Sequence, residues 1–306
     1  MYESDDPRSR LATAGAPRPT GTGAYSASSY ARFEGEPQEI NPLHRTWYAR
    51  GQNFLVAYSE TAPGARFERT GQQDEYVLLL PDADTRVSIN AGGQRQAIDG
   101  FSITMVPPGD SAIEVTTGGR VIRLFSTLSA DLAALASNAA AYAEPHPHIP
   151  PLEALPTPPD GFRIRSYSLD VPDEEGRFGK IWRSTNFMVN VFPPQIGPRD
   201  PAKLSPHHHD DFEQCSLAVG GSYTHHLRWP WTANLADWRD DEHELCGTPS
   251  ICVIPPRVVH TSAAMDPGIN LLVDIFSPPR LDFSKVPGWV LNAADYPMPG
   301  EHADNG

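Results

Sequence analysis

The sequence predicts an all-β protein made of two copies of one structural unit, with few short helices. Three observations carry this. Thirty-two prolines and 24 glycines punctuate the 306 residues too often for long helices. Between them lie short runs rich in β-branched and aromatic residues, bounded by turn signals. Three short anchors then recur, in the same order, in both halves.

Residues 1–38 are rich in Ser, Gly, Pro and Ala and read as a flexible arm. Strand-like runs follow at Phe54–Tyr58, Glu75–Leu80, Val87–Ile89, Ser102–Val106 and Val121–Phe125. Pro63-Gly64, Gly92-Gly93, Pro107-Pro108-Gly109 and Gly118-Gly119 supply the turns between them. The helical candidate is Ser129–Tyr142, Ala- and Leu-rich, with Ser129 or Asp131 placed to cap it. Residues 145–160 carry repeated prolines and read as a linker. Beyond it, Asn53-Phe-Leu-Val56 is echoed by Asn186-Phe-Met-Val189, and Gly100 to Pro108 by Gly247 to Pro256. Arg123-Leu-Phe-Ser126 is echoed by Asp274-Ile-Phe-Ser277. From Asn53 to Pro107 is 54 residues, and from Asn186 to Pro255 is 69, so the second copy carries an insertion, assigned to His225–Cys246.

Composition narrows the function. Hydrophobic residues make up 39% of the chain and mean hydropathy is −0.41, which fits a soluble globular protein with a core. No run approaches the ~18 apolar residues of a membrane helix, and the first 30 residues hold no apolar signal segment. Cys215, Cys246 and Cys252 cannot form a fully paired disulfide framework, so the expected location is cytoplasmic. A net charge of −14 argues against nucleic acid and anionic membranes as partners. A small-molecule substrate is the expected partner.

The chemistry concentrates in Ser205-Pro-His-His-His-Asp-Asp-Phe-Glu-Gln-Cys-Ser-Leu-Ala-Val219. Neutral imidazoles and a carboxylate suit a divalent transition metal. Read as one strand, the odd-numbered residues share a face, so His207, His209 and Glu213 point with Cys215, Leu217 and Val219 into a core, and His208 points away. Gln214 adjoins Glu213. A one-residue bulge would swap which of the two faces inward and leave a three-His site. Asp210 and Asp211 would cap the strand, orient the imidazoles or simply face water.

These residues resemble the motifs of the cupin superfamily. His207-His208-His209, three residues, Glu213 and then Gly220 match the spacing of its first motif. Gly247, Pro255, Pro256 and His260 look like its second. Two departures stand: Gly197 is too far upstream to match, and Pro256 or Arg257 replaces the Gly between the second-motif Pro and His. The resemblance implies two tandem jelly-roll barrels, residues 39–144 and 161–300, with a metal held by His207, His209, Glu213 and His260. Aligning Tyr76 to Glu213 puts Thr70 and Gln72 at the positions of His207 and His209, and aligning Pro107 to Pro255 puts Ala112 near that of His260. The first barrel is therefore expected to be degenerate and without a metal.

Tyr223, His225 and Arg228 lie on the next expected strand and are the candidate catalytic residues, with Arg228 or Arg257 as a carboxylate clamp. Trp229, Trp231 and Trp238 read as a lid or dimer patch, and Cys215 and Cys252 as small core residues. The first functional expectation is an Fe²⁺ dioxygenase acting on a small organic acid or phenol; Mn²⁺, Zn²⁺ and Ni²⁺ are the other metals considered. A metal-dependent isomerase, epimerase or lyase on a sugar acid or enolisable carbonyl is the alternative, with Tyr223 and His225 moving the proton. A third is a non-catalytic small-molecule binder. A homodimer is expected by resemblance alone.

Overall fold

The structure, a computed structural model, describes Arg8 and residues 24–298. The first strands are β1 (Ser29–Arg32), β2 (Glu39–Asn41), β3 (His44–Arg50), β4 (Phe54–Thr61), β5 (Arg66–Gln72) and β6 (Tyr76–Leu80). Next come β7 (Arg86–Ala91), β8 (Gln94–Asp99), β9 (Ser102–Val106), β10 (Gly109–Thr117), β11 (Gly119–Ser126) and β12 (Arg165–Ser168). The remainder are β13 (Lys180–Arg183), β14 (Met188–Val191), β15 (Gln195–Ile196), β16 (Glu213–Gly220), β17 (Ser222–Arg228), β18 (Glu242–Gly247), β19 (Ser250–Ile254), β20 (Val259–Ala264) and β21 (Ile269–Ser277).

They form two barrels. In the first, the sheet β12-β9-β6-β11-β4-β3-β2 covers the sheet β5-β10-β7-β8. In the second, β1-β19-β16-β21-β14-β13 covers β18-β17-β20, with β15 paired to β21. The large sheets have equivalent orders, β9-β6-β11-β4 against β19-β16-β21-β14, and the three repeated anchors fall on β4/β14, β9/β19 and β11/β21. The insertion sits between β17 and β18. In the first barrel the equivalent β7 and β8 are joined by Gly92-Gly93 alone.

The barrels exchange strands. β1 pairs with β19 of the second barrel (Tyr30 opposite Cys252), and β12 pairs with β9 of the first (Arg165 opposite Met105). This corrects two expectations. The arm is not unstructured throughout, because Ser29–Arg32 completes a sheet edge and Phe33 packs on Tyr58 at 5.3 Å between ring centroids. Residues 1–7 and 9–23 of the expected arm lie outside the described residues. The expected boundary after the linker is also crossed, since β12 lies beyond it in sequence yet belongs to the first barrel.

The helix expected at Ser129–Tyr142 is broken into Ala130–Ala133 and a 3₁₀ turn at Ala139–Tyr142. Neither proposed cap works as one. Ser129 bonds with the Gln72 amide, and Asp131 is ion-paired to Arg69 at 2.6 Å. Tertiary bonds override Ala propensity: Ser137 N donates to Tyr48 O at 2.8 Å, and the Asn138 side chain brackets the backbone of Arg50.

The two large sheets pack back to back. Their shared core takes Val56, Leu79, Met105 and Leu124 from the first barrel and Cys215, Leu217, Val253 and Ile275 from the second. A separate apolar cluster, including Tyr76, Leu78, Ile89, Ile113 and Phe125, fills the first barrel. The second barrel's interior is more polar, with Gln214, Ser216, His225 and Asp274 all buried. Phe33, 3% exposed, ties the exchanged β1 segment to this architecture. Phe33→Ala is expected to cost about 3–5 kcal/mol in urea unfolding, as for other buried Phe truncations; a loss under about 1 kcal/mol would show that this segment is not docked.

Candidate functional site

The histidine run is not one strand. β16 begins only at Glu213, and Asp210–Phe212 is a bend. Before the bend, His207 makes a single antiparallel bridge with His260: His207 N donates to His260 O at 3.0 Å, and His260 N to His207 O at 2.8 Å. In the first barrel the corresponding place holds a full β5–β10 ladder. Arg257 N donates to His209 O at 2.6 Å, and Arg257 takes φ +67°. The turn thus keeps the left-handed backbone that glycine would supply, at a cost of roughly 1–2 kcal/mol for a side-chain-bearing residue.

Parity does not carry across the bend. From Glu213 onward the odd residues enter the core between the barrels, and the even residues line the second barrel. This corrects the place of Glu213 among the metal ligands. Its Oε2 accepts from Gln52 N at 2.6 Å in the first barrel, and a Cβ on Gly51 would stand 2.8 Å from the same oxygen. Register makes Glu75 its counterpart, because Leu78 pairs with Arg123 as Ser216 pairs with Asp274. Tyr76 is therefore equivalent to Gln214 rather than to Glu213. The two acids are reciprocal: Glu75 Oε1 accepts from Thr185 N, before Asn186, at 2.6 Å, and Glu213 accepts from Gln52 N, before Asn53.

Gln214 takes the inward place. Its Oε1 stands 3.2 Å from His209 Nε2 and 3.3 Å from His260 Nε2. Ring centroids of His207 and His209 lie 4.5 and 5.0 Å from that of His260. His207 Nδ1 faces Ser205 O at 3.0 Å and His260 Nδ1 faces Val258 O at 2.8 Å. Carbonyls only accept, so both Nδ1 atoms carry the proton and both Nε2 atoms present a lone pair. Burial, followed by neighbouring positive groups, holds His207 and His209 well below the ordinary histidine range. Burial also takes His260 to about 4, against the pull of its bond to Val258 O. All three imidazoles are neutral at pH 7, as metal ligation requires.

The amide has a fixed sense. Ser216 Oγ donates to Asp274 Oδ1 at 2.7 Å, so it accepts from Gln214 Nε2 at 3.0 Å, and Oε1 is left facing the rings. Burial raises Asp274 to about 6, partly offset by the Ser216 bond and by Arg8 and Arg280. An Oε1 acceptor opposite the His260 lone pair is a mismatch that a cation between them resolves. The donor chemistry therefore fits a divalent metal. As placed, however, no group of three or more His, Cys, Asp or Glu side chains among the described residues is arranged to hold an ion.

Other expected site residues separate. His225 is inside the barrel, with Nδ1 2.8 Å from Ser262 Oγ and Nε2 buried without a partner. Burial, then His260 and His226, lowers it to about 3. Tyr223 is buried beside it, its hydroxyl pushed up by burial and by Asp274. Arg228 is not in the site: it is exposed, and its Nε donates to both Asp241 oxygens at 3.0 and 2.9 Å. Arg257 also points away, its Nη1 donating to Tyr25 Oη at 3.4 Å. Trp229 is core, its indole donating to Ser26 O at 3.0 Å, while Trp231 and Trp238 stack at 4.3 Å on the surface. All three cysteines are free and buried. Sequence reasoning missed Ser216 and Asp274. Polar residues at inward strand positions of an otherwise apolar pattern were their available signal.

No protein-family model matches the chain, and no curated protein matches it in sequence. Solved structures do. AerE from Microcystis aeruginosa aligns at TM-score 0.53 and 9% identity, over 83% of this chain and 98% of that one. Oxalate decarboxylase from Lactobacillus farciminis, in a formate complex, aligns at TM-score 0.52 and 13% identity, over 85% and 88%. A cupin 2 conserved barrel domain protein from Leptotrichia buccalis aligns at 0.46 and 9%, over 81% and 96%. The likeness is one of fold: the chain has a jelly-roll barrel fold like these structures. It is of the two-barrel kind, each barrel completed by a strand of the other half. Among the described residues no helix is long and apolar enough to cross a membrane.

Glu213 gives this geometry a pH signature. Burial raises its carboxyl from 4.5 to about 7, against its backbone bonds, and it is fully buried with Oε1 unpartnered. A folded-state pKa above the unfolded one favours the fold below pH 4.5 and loses that advantage as pH rises to about 7. Glu213→Gln should remove this dependence. The stability difference between the two proteins is expected to change by roughly 2–3 kcal/mol across that window, to the variant's benefit at high pH. Parallel unfolding curves from pH 4.5 to 8 for both proteins would contradict it.

Proposed function

We propose that the second barrel is a metal-dependent catalytic centre in which His207, His209 and His260 hold a divalent ion and Gln214 Oε1 completes the set. The carrying observation is the convergence of two neutral, buried imidazoles, His209 and His260, on an amide oxygen, with the His207 ring packed against His260. We favour an Fe²⁺ dioxygenase-type oxidoreductase acting on a small organic acid or phenol. A bound Fe²⁺ would supply Lewis acidity and redox chemistry with O₂. The chain's residues do the remainder. Ser205 O and Val258 O fix the imidazole tautomers. Asp274, through Ser216, turns the amide oxygen inward. Tyr223 and His225 line the barrel beside the site and are available to orient a substrate. Four neutral donors leave the ion's charge uncompensated in a buried place, which favours an anionic substrate.

One observation favours the alternative of a metal-dependent isomerase or lyase. His225 Nε2 is an unpartnered nitrogen inside the barrel, placed to accept a proton or a substrate hydroxyl.

Metal analysis of protein purified without added metal tests both readings. About one iron per chain, with O₂ uptake, is expected under the first. Manganese or zinc without O₂ consumption would sink the oxygenase and leave the alternative. His207→Ala and His260→Ala should abolish stoichiometric metal, and Gln214→Ala should weaken it by roughly 10–100-fold. Glu213→Gln should retain it, and loss of metal there would restore Glu213 as a ligand.

A further inference from the structure

Arg123 occupies, in the first barrel, the position that Asp274 holds in the second. Its neighbours Val121 and Phe125 belong to the cluster that fills the first barrel, so its side chain enters the same interior. Arg123 is 4% exposed. Its guanidinium carbon lies 3.9 Å from the centroid of the Phe67 ring. The polar contacts are few: Nη2 reaches Ser59 Oγ at 3.5 Å, the Tyr48 hydroxyl accepts from the guanidinium, and the buried Nε has no partner. A guanidinium does not shed its proton in a protein. It is therefore a buried full charge, and no carboxylate among the described residues forms an ion pair with it. Glu39 enters the neighbourhood only by accepting from Tyr48 Oη at 2.7 Å.

A cation–π contact offsets part of the cost of burying a charge but leaves the N–H donors unmet. The groups beside Arg123 add more donors. Thr46 Oγ1 and Ser59 Oγ lie 2.8 Å apart, and His44 Nδ1 is 3.2 Å from Thr46 Oγ1. A planar guanidinium with hydroxyls and an imidazole alongside is the donor set that recognises a planar, bidentate anion.

We propose that the first barrel binds a small carboxylate on Arg123, with Ser59 and Thr46 as further donors. The site is independent of the metal reading of the second barrel.

Formate and oxalate are the probes, chloride is the control, and thermal unfolding of the full chain is the readout. A saturating carboxylate is expected to raise the melting temperature by roughly 5 °C in the wild type. The rise should persist in His260→Ala, which disables the second barrel, and vanish when Arg123→Met, which keeps length and apolar bulk without charge, is added to that variant. Persistence in the double variant overturns the proposal, as does loss in His260→Ala or an equal effect of chloride. Absence of any rise at about 10 mM carboxylate in the wild type overturns it too. If Arg123→Met does not fold, Arg123→Lys decides: the loss of the planar fork should weaken carboxylate binding at least tenfold, and an unchanged affinity refutes the site.

Discussion

Which way each strand of the two large sheets turns its side chains is settled by the packing of those sheets against each other. Val56, Leu124, Leu217 and Ile275 meet in one core. Successive side chains on a strand point to opposite faces, so committing Cys215, Leu217 and Val219 to this interface sends Gln214, Ser216 and Ala218 into the second barrel. Glu213 falls on the interface side. It is held there by a backbone donor of the first barrel, at a place where Gly51 lets the chain come close. Glu75 does the same from the other side and also accepts from Tyr296 Oη at 2.8 Å. The site in one barrel is thus oriented by contacts with the other.

Much of this was legible in the sequence. The strand runs at Phe54, Val87, Ser102 and Val121 lie within β4, β7, β9 and β11, because alternation and turn residues are local signals. The duplicated anchors mark equivalent strands for the same reason. Tertiary partners were not legible. Nothing local to Ser29–Arg32 says that it will cover the edge of β19, or to Arg165–Ser168 that it will cover β9. The Ala-rich stretch after Ser129 obeys helix propensity for one turn, and then the backbone of Tyr48 and the side chain of Asn138 claim the chain.

The direction of Glu213 is not legible in the sequence for a sharper reason. Period-2 reasoning needs an unbroken strand, and Asp210–Phe212 is a bend. It also needs to know which face is the barrel interior. The more apolar face of β16, with Cys215, Leu217 and Val219, points not into its own barrel but into the core between the two. The interior of a binding barrel is where polar residues are tolerated, and there Gln214, Ser216 and Asp274 satisfy one another in sequence.

The contrast between the barrels follows from the same division. Both interface faces must be apolar, so the copies can diverge only on their inner faces. The first barrel's inner face carries Tyr76, Leu78 and Phe125 around one guanidinium, and the second carries Gln214, Ser216 and Phe276 around one carboxyl. The two groups hold the same strand position, but Arg8 and Arg280 act on the carboxyl, while no carboxylate among the described residues forms an ion pair with the guanidinium. Burial raises the carboxyl to about 6, so a proton can neutralise it in mild acid. A guanidinium has no such route. The interior polarity of the second barrel can therefore be met in part by a proton, a route closed to the first, where the Phe67 ring and the Ser59 and Tyr48 hydroxyls are what meet the charge.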